Sequence, residues 1–157
     1  MKLGVPVLLC LDLQMEFVAP NRTWSDPEGE RIASICASIL NEARAAGWAI
    51  VHSQMHPGGS IMEGHGLHQS APGCEPLAGE VLLRRAGVSA YSHPDLDGIM
   101  ECAMGAPVYV LGFSASTSMT ATFLDADERL HPLHMVQEAI GAAEVGDEDE
   151  NWVVWLV

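Results

Sequence analysis

A chain of 157 residues is the size of one ordinary domain, long enough to bury a core without disulfides or a structural metal, and a single domain over 1–157 is expected. Seven Lys and Arg against 21 Asp and Glu give a formal net charge of −14, which repels phosphate backbones and anionic lipid and argues against nucleic acid and membranes as partners. The 48% hydrophobic content argues against disorder, and no apolar run approaches the roughly 20 residues needed to span a bilayer.

The chain opens on a continuous apolar run over 5–11 that stops at Asp12. Such a run reads as a strand covered on both faces, as in a parallel sheet. It contains Pro6, is short for an export signal and lacks a small-residue cleavage pattern, so a cytoplasmic protein is expected. Pro20, Asn21, Asp26, Pro27 and Gly29 then mark a long loop. Ile32, Ile35, Cys36, Ile39, Leu40 and Ala43 follow as an apolar stripe at helical spacing, closed by Gly47. A second buried strand is predicted over 48–52. The Gly- and Pro-rich stretch over 56–76 has no periodicity, and a loop of that length is usually functional or a lid.

A short strand over 81–84, a helix over 94–104, a third apolar strand over 107–111, a helix over 116–129 and a strand over 133–136 complete the core elements. The acidic run 146–150 reads as a solvated loop. Residues 151–157, with Trp152, Val153, Val154, Trp155, Leu156 and Val157, must be covered, and an oligomer contact is favoured over a core strand. The chain is accordingly expected to form a homo-oligomer. Four scattered cysteines fit no metal or disulfide pattern and are expected reduced, with Cys10, Cys36 and Cys102 buried on apolar stripes and Cys74 in a loop.

Strands alternating with helices imply an α/β fold: a doubly wound parallel sheet with helices on both faces. Such sheets bind ligands beyond the carboxyl ends of the strands, where the strand order reverses. Asp12 ends the first strand, Arg85 follows another, and Ser118 lies in the first turn of the helix after a third, so this topology directs all three toward one crevice.

Three segments carry more than position. LLCLDLQMEF places Asp12, Gln14 and Phe17 after a buried strand, where a carboxylate is a candidate acid or base. RRAGVSAYSHPDL contains Arg85, Ser89, Ala90, Tyr91, Asp95 and Leu96, and LGFSASTSMTATFLDA contains Gly112, Ser118, Thr122, Asp125 and Ala126. Together they resemble, in order and spacing, the isochorismatase-like (cysteine hydrolase) superfamily. In that resemblance Arg85 occupies the place of a lysine, Ser118 that of the nucleophilic cysteine, and Glu138 that of an aspartate on the next strand, which covers 136–139. The resemblance also implies a cis peptide between Phe113 and Ser114, an oxyanion hole from the N–H groups of Ser114 and Ser118, and a small-molecule pocket involving Gln14, Phe17, Tyr91, Ser114 and Thr117.

The substitutions bear on mechanism. Arg85 keeps the positive charge but cannot give up a proton, and a serine hydroxyl is far less acidic than a thiol, so Ser118 needs a strong positioned base. Amide hydrolysis through Ser118 is therefore expected to be slow. A vinyl ether can instead be hydrolysed with Asp12 as acid and water as nucleophile, Ser118 orienting water or substrate. The alternative is a catalytically silent domain that binds a ligand or acts through assembly. Nicotinamidases of this superfamily hold a metal ion through an aspartate and histidines, but here Gln54 takes the aspartate's place and Ser60 that of a histidine. His52, His56, His65 and His68 are not assigned as ligands, and no metal or cofactor is expected.

Overall fold

The computed structural model describes residues 4–56, 66–103 and 105–143. Five strands, β1 (Val7–Leu11), β2 (Ala49–Met55), β3 (Val81–Arg85), β4 (Val108–Gly112) and β5 (Leu133–Ile140), form one sheet in the order β3-β2-β1-β4-β5. Every neighbouring pair is parallel. The central strand β1 pairs with β2 on one side and β4 on the other, so the strand order reverses between β1 and β4. Helices α1 (Met15–Val18), α2 (Gly29–Ala45), α3 (Asp95–Cys102) and α4 (Thr120–Glu128) complete the fold, with a short 3-10 turn at Ala90–Ser92 and a π-helical turn at Ala115–Met119. The doubly wound expectation is met.

All five residues of β1 are buried because the sheet is covered on both faces. Leu8 and Cys10 pack with Ile32, Cys36 and Leu40 of α2 on one side, while Val7, Leu9 and Leu11 pack with Leu96, Met100, Met119 and Ala126 on the other. Burial of each such aliphatic side chain stabilises the fold by about 1.5–3 kcal/mol. The three-to-four spacing of Ile32, Cys36, Leu40 and Ala43 is the buried stripe of α2.

The structure corrects several boundaries. Strand β2 runs on to Met55, and β5 unites the stretches 133–136 and 136–139 in one strand. The helix expected from 116 begins instead as the π turn and becomes α-helical at Thr120. Cys102 is exposed, because the buried stripe of α3 runs through Leu96 and Met100, whereas Cys74 is buried and donates its thiol to the Ala33 carbonyl at 3.5 Å. No described peptide bond is cis: after Gly112, at φ 126°, the chain turns through a left-handed Ser114, with φ 60° and ψ 43°. The acidic run 146–150, the apolar segment 151–157, Met104 and His65 lie outside the described residues. No described helix is long and apolar enough to cross a membrane.

Candidate active site

Asp12 follows β1 in a left-handed backbone conformation, φ 52°, which Asp tolerates better than most residues. Its N–H donates to the Ser53 carbonyl at 3.0 Å and its own carbonyl accepts from Gln14 N–H at 2.7 Å, so the strand end is fixed by backbone bonds. Arg85, the last residue of β3, pairs in register with Met55 and reaches across β2 to Asp12. Arg85 Nη1 lies 2.8 Å from Asp12 Oδ1, with both side chains 0% exposed. The same nitrogen donates to Ser53 Oγ at 3.2 Å, and Nε and Nη2 donate to the Val88 carbonyl at 3.3 and 3.2 Å.

The Asp12–Arg85 contact has the distance of an ion pair without the alignment of a hydrogen bond, and neither Asp12 oxygen has a hydrogen-bond partner among the described residues. A buried carboxylate in this state keeps hydrogen-bonding capacity for a ligand or water. Ser118 Oγ and Ser114 Oγ are buried and unpartnered in the same sense. Leu11 pairs with Gly112, and the Phe113 N–H donates to the Leu11 carbonyl at 2.9 Å, so Asp12 and the Ser114–Ser118 turn leave neighbouring strands at the switch point. This close approach explains Gly112: a Cβ there would stand 1.9 Å from the Leu11 carbonyl oxygen.

Ser118 sits on the π turn, a geometry found disproportionately at functional sites. Thr122 Oγ1 donates to the Ser118 carbonyl at 2.6 Å and accepts the Ala90 N–H at 2.9 Å, tying the turn at Ala90–Ser92 to the serine-bearing turn. No imidazole bonds Ser118 Oγ, so a hydrolase-type serine–histidine pair is not assembled among the described residues.

A cavity of about 400 Å³ opens here, lined by Glu16, Phe17, Trp24, Met55, Val88, Ser114, Ser116, Thr117 and Ala143, and its size suits a small molecule. A larger concavity of about 720 Å³ runs along the loop over 20–31 and contains none of the residues singled out by sequence, so we assign the site to the smaller one. Of the expected pocket residues, Phe17, Ser114 and Thr117 line it. Gln14 does not: its side chain clamps the chain, donating to the Met55 and His68 carbonyls and accepting from Met55 N–H. Nor does Tyr91, whose hydroxyl bonds His131 Nδ1 at 2.9 Å beneath the Arg129 guanidinium. Burial first, and then Asp97, pushes the Tyr91 phenol up to about 12. Asp12, Arg85 and Ser118 are buried and absent from the cavity lining.

Sequence reasoning missed Glu16, Trp24, Met55, Val88, Ser116 and Ala143. Glu16, Val88 and Ser116 lie inside the three matched segments and so offered a positional signal, whereas Trp24, Met55 and Ala143 offered none. The carboxylate of Glu16 takes a forked bond from Arg22, with Nη2 at 3.0 Å from both oxygens and Nε at 3.2 Å from Oε2.

A metal of the kind the nicotinamidase resemblance implies finds a poor donor set. Gln54 spends its amide N–H on Ser70 Oγ at 2.9 Å, and His52 faces Glu80 rather than His56, with Nε2 2.9 Å from Glu80 Oε2. His56 and His68 meet edge to face at 6.1 Å in a cleft that also contains Arg84, a cation that would oppose a metal ion. Among the described residues no three His, Cys, Asp or Glu side chains gather around a common point.

Comparison with known proteins bears on the whole chain. No curated protein sequence matches it significantly. Among solved structures, an isochorismatase from Pseudomonas putida KT2440 superposes with a TM-score of 0.80 at 22% identity, over 95% of this chain and 77% of that one. N-carbamoylsarcosine amidase from Thermoplasma acidophilum gives 0.71 at 21% identity, over 96% and 90%. The pyrazinamidase of Pyrococcus horikoshii, solved in complex with zinc, gives 0.70 at 20% identity, over 96% and 93%. These likenesses establish the fold. Residues 6–153 match the Isochorismatase domain, nearly all of this chain, and the chain therefore belongs to the isochorismatase family.

Proposed function

We propose that this chain is a single-domain hydrolase of a small molecule, of the amide or vinyl ether class, with a divergent Asp12, Arg85 and Ser118 site. The observation that carries this reading is the buried Asp12–Arg85 pair at the switch point, whose carboxylate oxygens retain hydrogen-bonding capacity; the cavity suited to a small ligand draws Phe17, Ser114 and Thr117 from the same segments. Among the described residues no base is bonded to Ser118 Oγ to take its proton, so the chemistry falls to Asp12. Asp12 exchanges a proton with the substrate or with an attacking water. Arg85 holds the carboxylate in place, Ser118 and Ser114 supply hydroxyls that orient the reacting group, and the N–H groups of Ser114 and Ser118 receive the developing negative oxygen. Arg85 remains a cation throughout, so it positions and stabilises without transferring a proton.

A second reading has its own support. Asp12 and Arg85 are sealed from solvent and from the cavity lining, as suits a structural pair beneath a silent ligand-binding pocket in a cytoplasmic homo-oligomer. Assay of the purified protein against isochorismate and a panel of simple amides separates the two. The hydrolase reading expects turnover that falls about 10²–10⁴-fold in Asp12→Asn with the fold retained, and a gain of amidase activity in the Arg85→Lys/Ser118→Cys double variant. Absence of turnover in wild type and double variant alike, with melting temperature unmoved by any substrate, would remove the hydrolase reading.

A further inference from the structure

The charge arrangement around the cavity bears on what it admits. Its walls are mainly apolar, from Phe17, Trp24, Met55, Val88 and Ala143, with three hydroxyl residues, Ser114, Ser116 and Thr117, at one side. Among the described lining residues Glu16 is the sole ionisable one. Its partner Arg22 belongs to the lining of the neighbouring concavity and not to this one, so the ion pair straddles the wall between the two with its acidic member on the ligand side. Arg85, the other guanidinium near the site, is sealed and fully committed to Asp12, Ser53 and the Val88 carbonyl.

From this we infer that the cavity selects uncharged ligands over anionic ones of the same shape, and that Glu16 is the residue that sets this preference. An anion entering the cavity loses hydration, meets no cation among the lining residues and approaches the carboxylate of Glu16. The net charge of −14 adds repulsion from outside. The opposing feature, the positive end of the turn at Ala115–Met119, is weakened because its Ala115 and Thr117 N–H groups already donate to the Gly141 and Ser114 carbonyls at 3.2 and 3.1 Å. A neutral ligand accepts hydrogen bonds through a carbonyl or ether oxygen from the hydroxyls at the cavity wall, the unpartnered Ser114 Oγ among them, and incurs no repulsion from Glu16. The ligand class is thus an apolar body with an uncharged polar end that can accept hydrogen bonds, which within the proposed function puts a neutral amide ahead of an anionic vinyl ether such as isochorismate.

The inference rests on reading this cavity as the ligand site, and binding tests it independently of turnover. The probes are benzamide and benzoate, matched in shape and differing in charge, titrated calorimetrically into the full-length protein. Wild type is expected to bind benzamide about tenfold or more tightly than benzoate, with the gap shrinking as salt is added. In Glu16→Gln, which leaves Arg22 as an uncompensated cation behind the wall, benzoate affinity rises relative to benzamide until the two lie within about threefold. Val88→Lys, at an exposed rim position, should raise benzoate affinity by itself and serves where Glu16→Gln does not fold.

Equal binding of the two probes by wild type, an unchanged ratio in both variants, or no binding of either probe up to its solubility limit would each overturn the inference. Charge discrimination in a protein without turnover leaves this inference standing and removes the hydrolase reading. Turnover without charge discrimination does the reverse.

Discussion

Asp12 combines a left-handed backbone, complete burial and a charge compensated by one cation held across an intervening strand. Removing one member of a buried ion pair leaves the other desolvated and uncompensated, at a cost of about 3–5 kcal/mol, whereas replacing both by apolar groups is often neutral. Arg85→Met should therefore lower unfolding stability by about 3–5 kcal/mol in urea titration, and Asp12→Leu/Arg85→Met should recover most of that loss. A single-variant cost below about 1 kcal/mol would show that the two charges are not coupled as their 2.8 Å separation implies. The serines stand differently. Ser118 gives its carbonyl to Thr122 and keeps its hydroxyl unpartnered, which suits a group that meets ligand more than a group that holds the fold.

The junction of β1 and β4 is the tightest backbone approach at the site, and one glycine permits it. Gly112 has φ 126° and no room for a Cβ, whereas Gly98 on α3 has open space around the position a Cβ would take. Gly112→Ala should cost more than about 3 kcal/mol or abolish soluble expression, while Gly98→Ala should stabilise by about 0.5–1 kcal/mol, both read from thermal melts. Equal tolerance of the two would contradict the strand contact. Much of this scale was legible in the sequence: the unbroken apolar run before Asp12 marks the central strand, and the stripe from Ile32 to Ala43 marks α2. Strand β5 was harder to read, because it is an edge strand with a register irregularity against Val110 and Gly112, and exposed His134, Met135, Gln137 and Glu138 interrupt its pattern. The π turn has no compositional signature. The pocket was half legible: Phe17, Val88 and Ser114 sit in motif segments, but Trp24, Met55 and Ala143 lie outside them and only the folded topology assembles the set. Tyr91 and Gln14 matched a pattern, yet their polar atoms are taken up by His131 and by the chain near Met55.

At the scale of the whole molecule, Glu80 joins elements that share no strand pairing. Its carboxylate accepts from Arg44 of α2 at 2.6 and 3.0 Å and from Leu77 N–H at 2.9 Å, and lies 2.9 Å from His52 Nε2 of β2. Burial pushes the carboxyl upward, but Arg44, the Leu77 N–H and His52 together outweigh it and hold Glu80 at about 2, below the ordinary 4.5. Burial also lowers His52 below its ordinary 6.5, against the opposing pull of Glu80. The signs follow from which state binds protons more readily. The unfolded chain takes up a proton at Glu80 near pH 4.5 while the folded chain resists until about 2, so this contribution is complete above 4.5 and is lost as pH falls from 4.5 toward 2. His52 acts in the same direction from a higher starting point, because the unfolded imidazole is protonated first as pH falls through 6.5. Acid also relieves the self-repulsion of a chain at −14, so the absolute pH profile mixes opposing effects and the informative quantity is a difference. The gap in urea midpoint between wild type and Glu80→Gln should be present at pH 7, grow as pH falls through 6.5 because the variant's His52 loses the upward pull of Glu80, and narrow steadily below 4.5. A gap that is negligible at pH 7, or that fails to narrow below 4.5, would mean that Glu80 does not hold the sheet, α2 and the loop before β3 together through its charge.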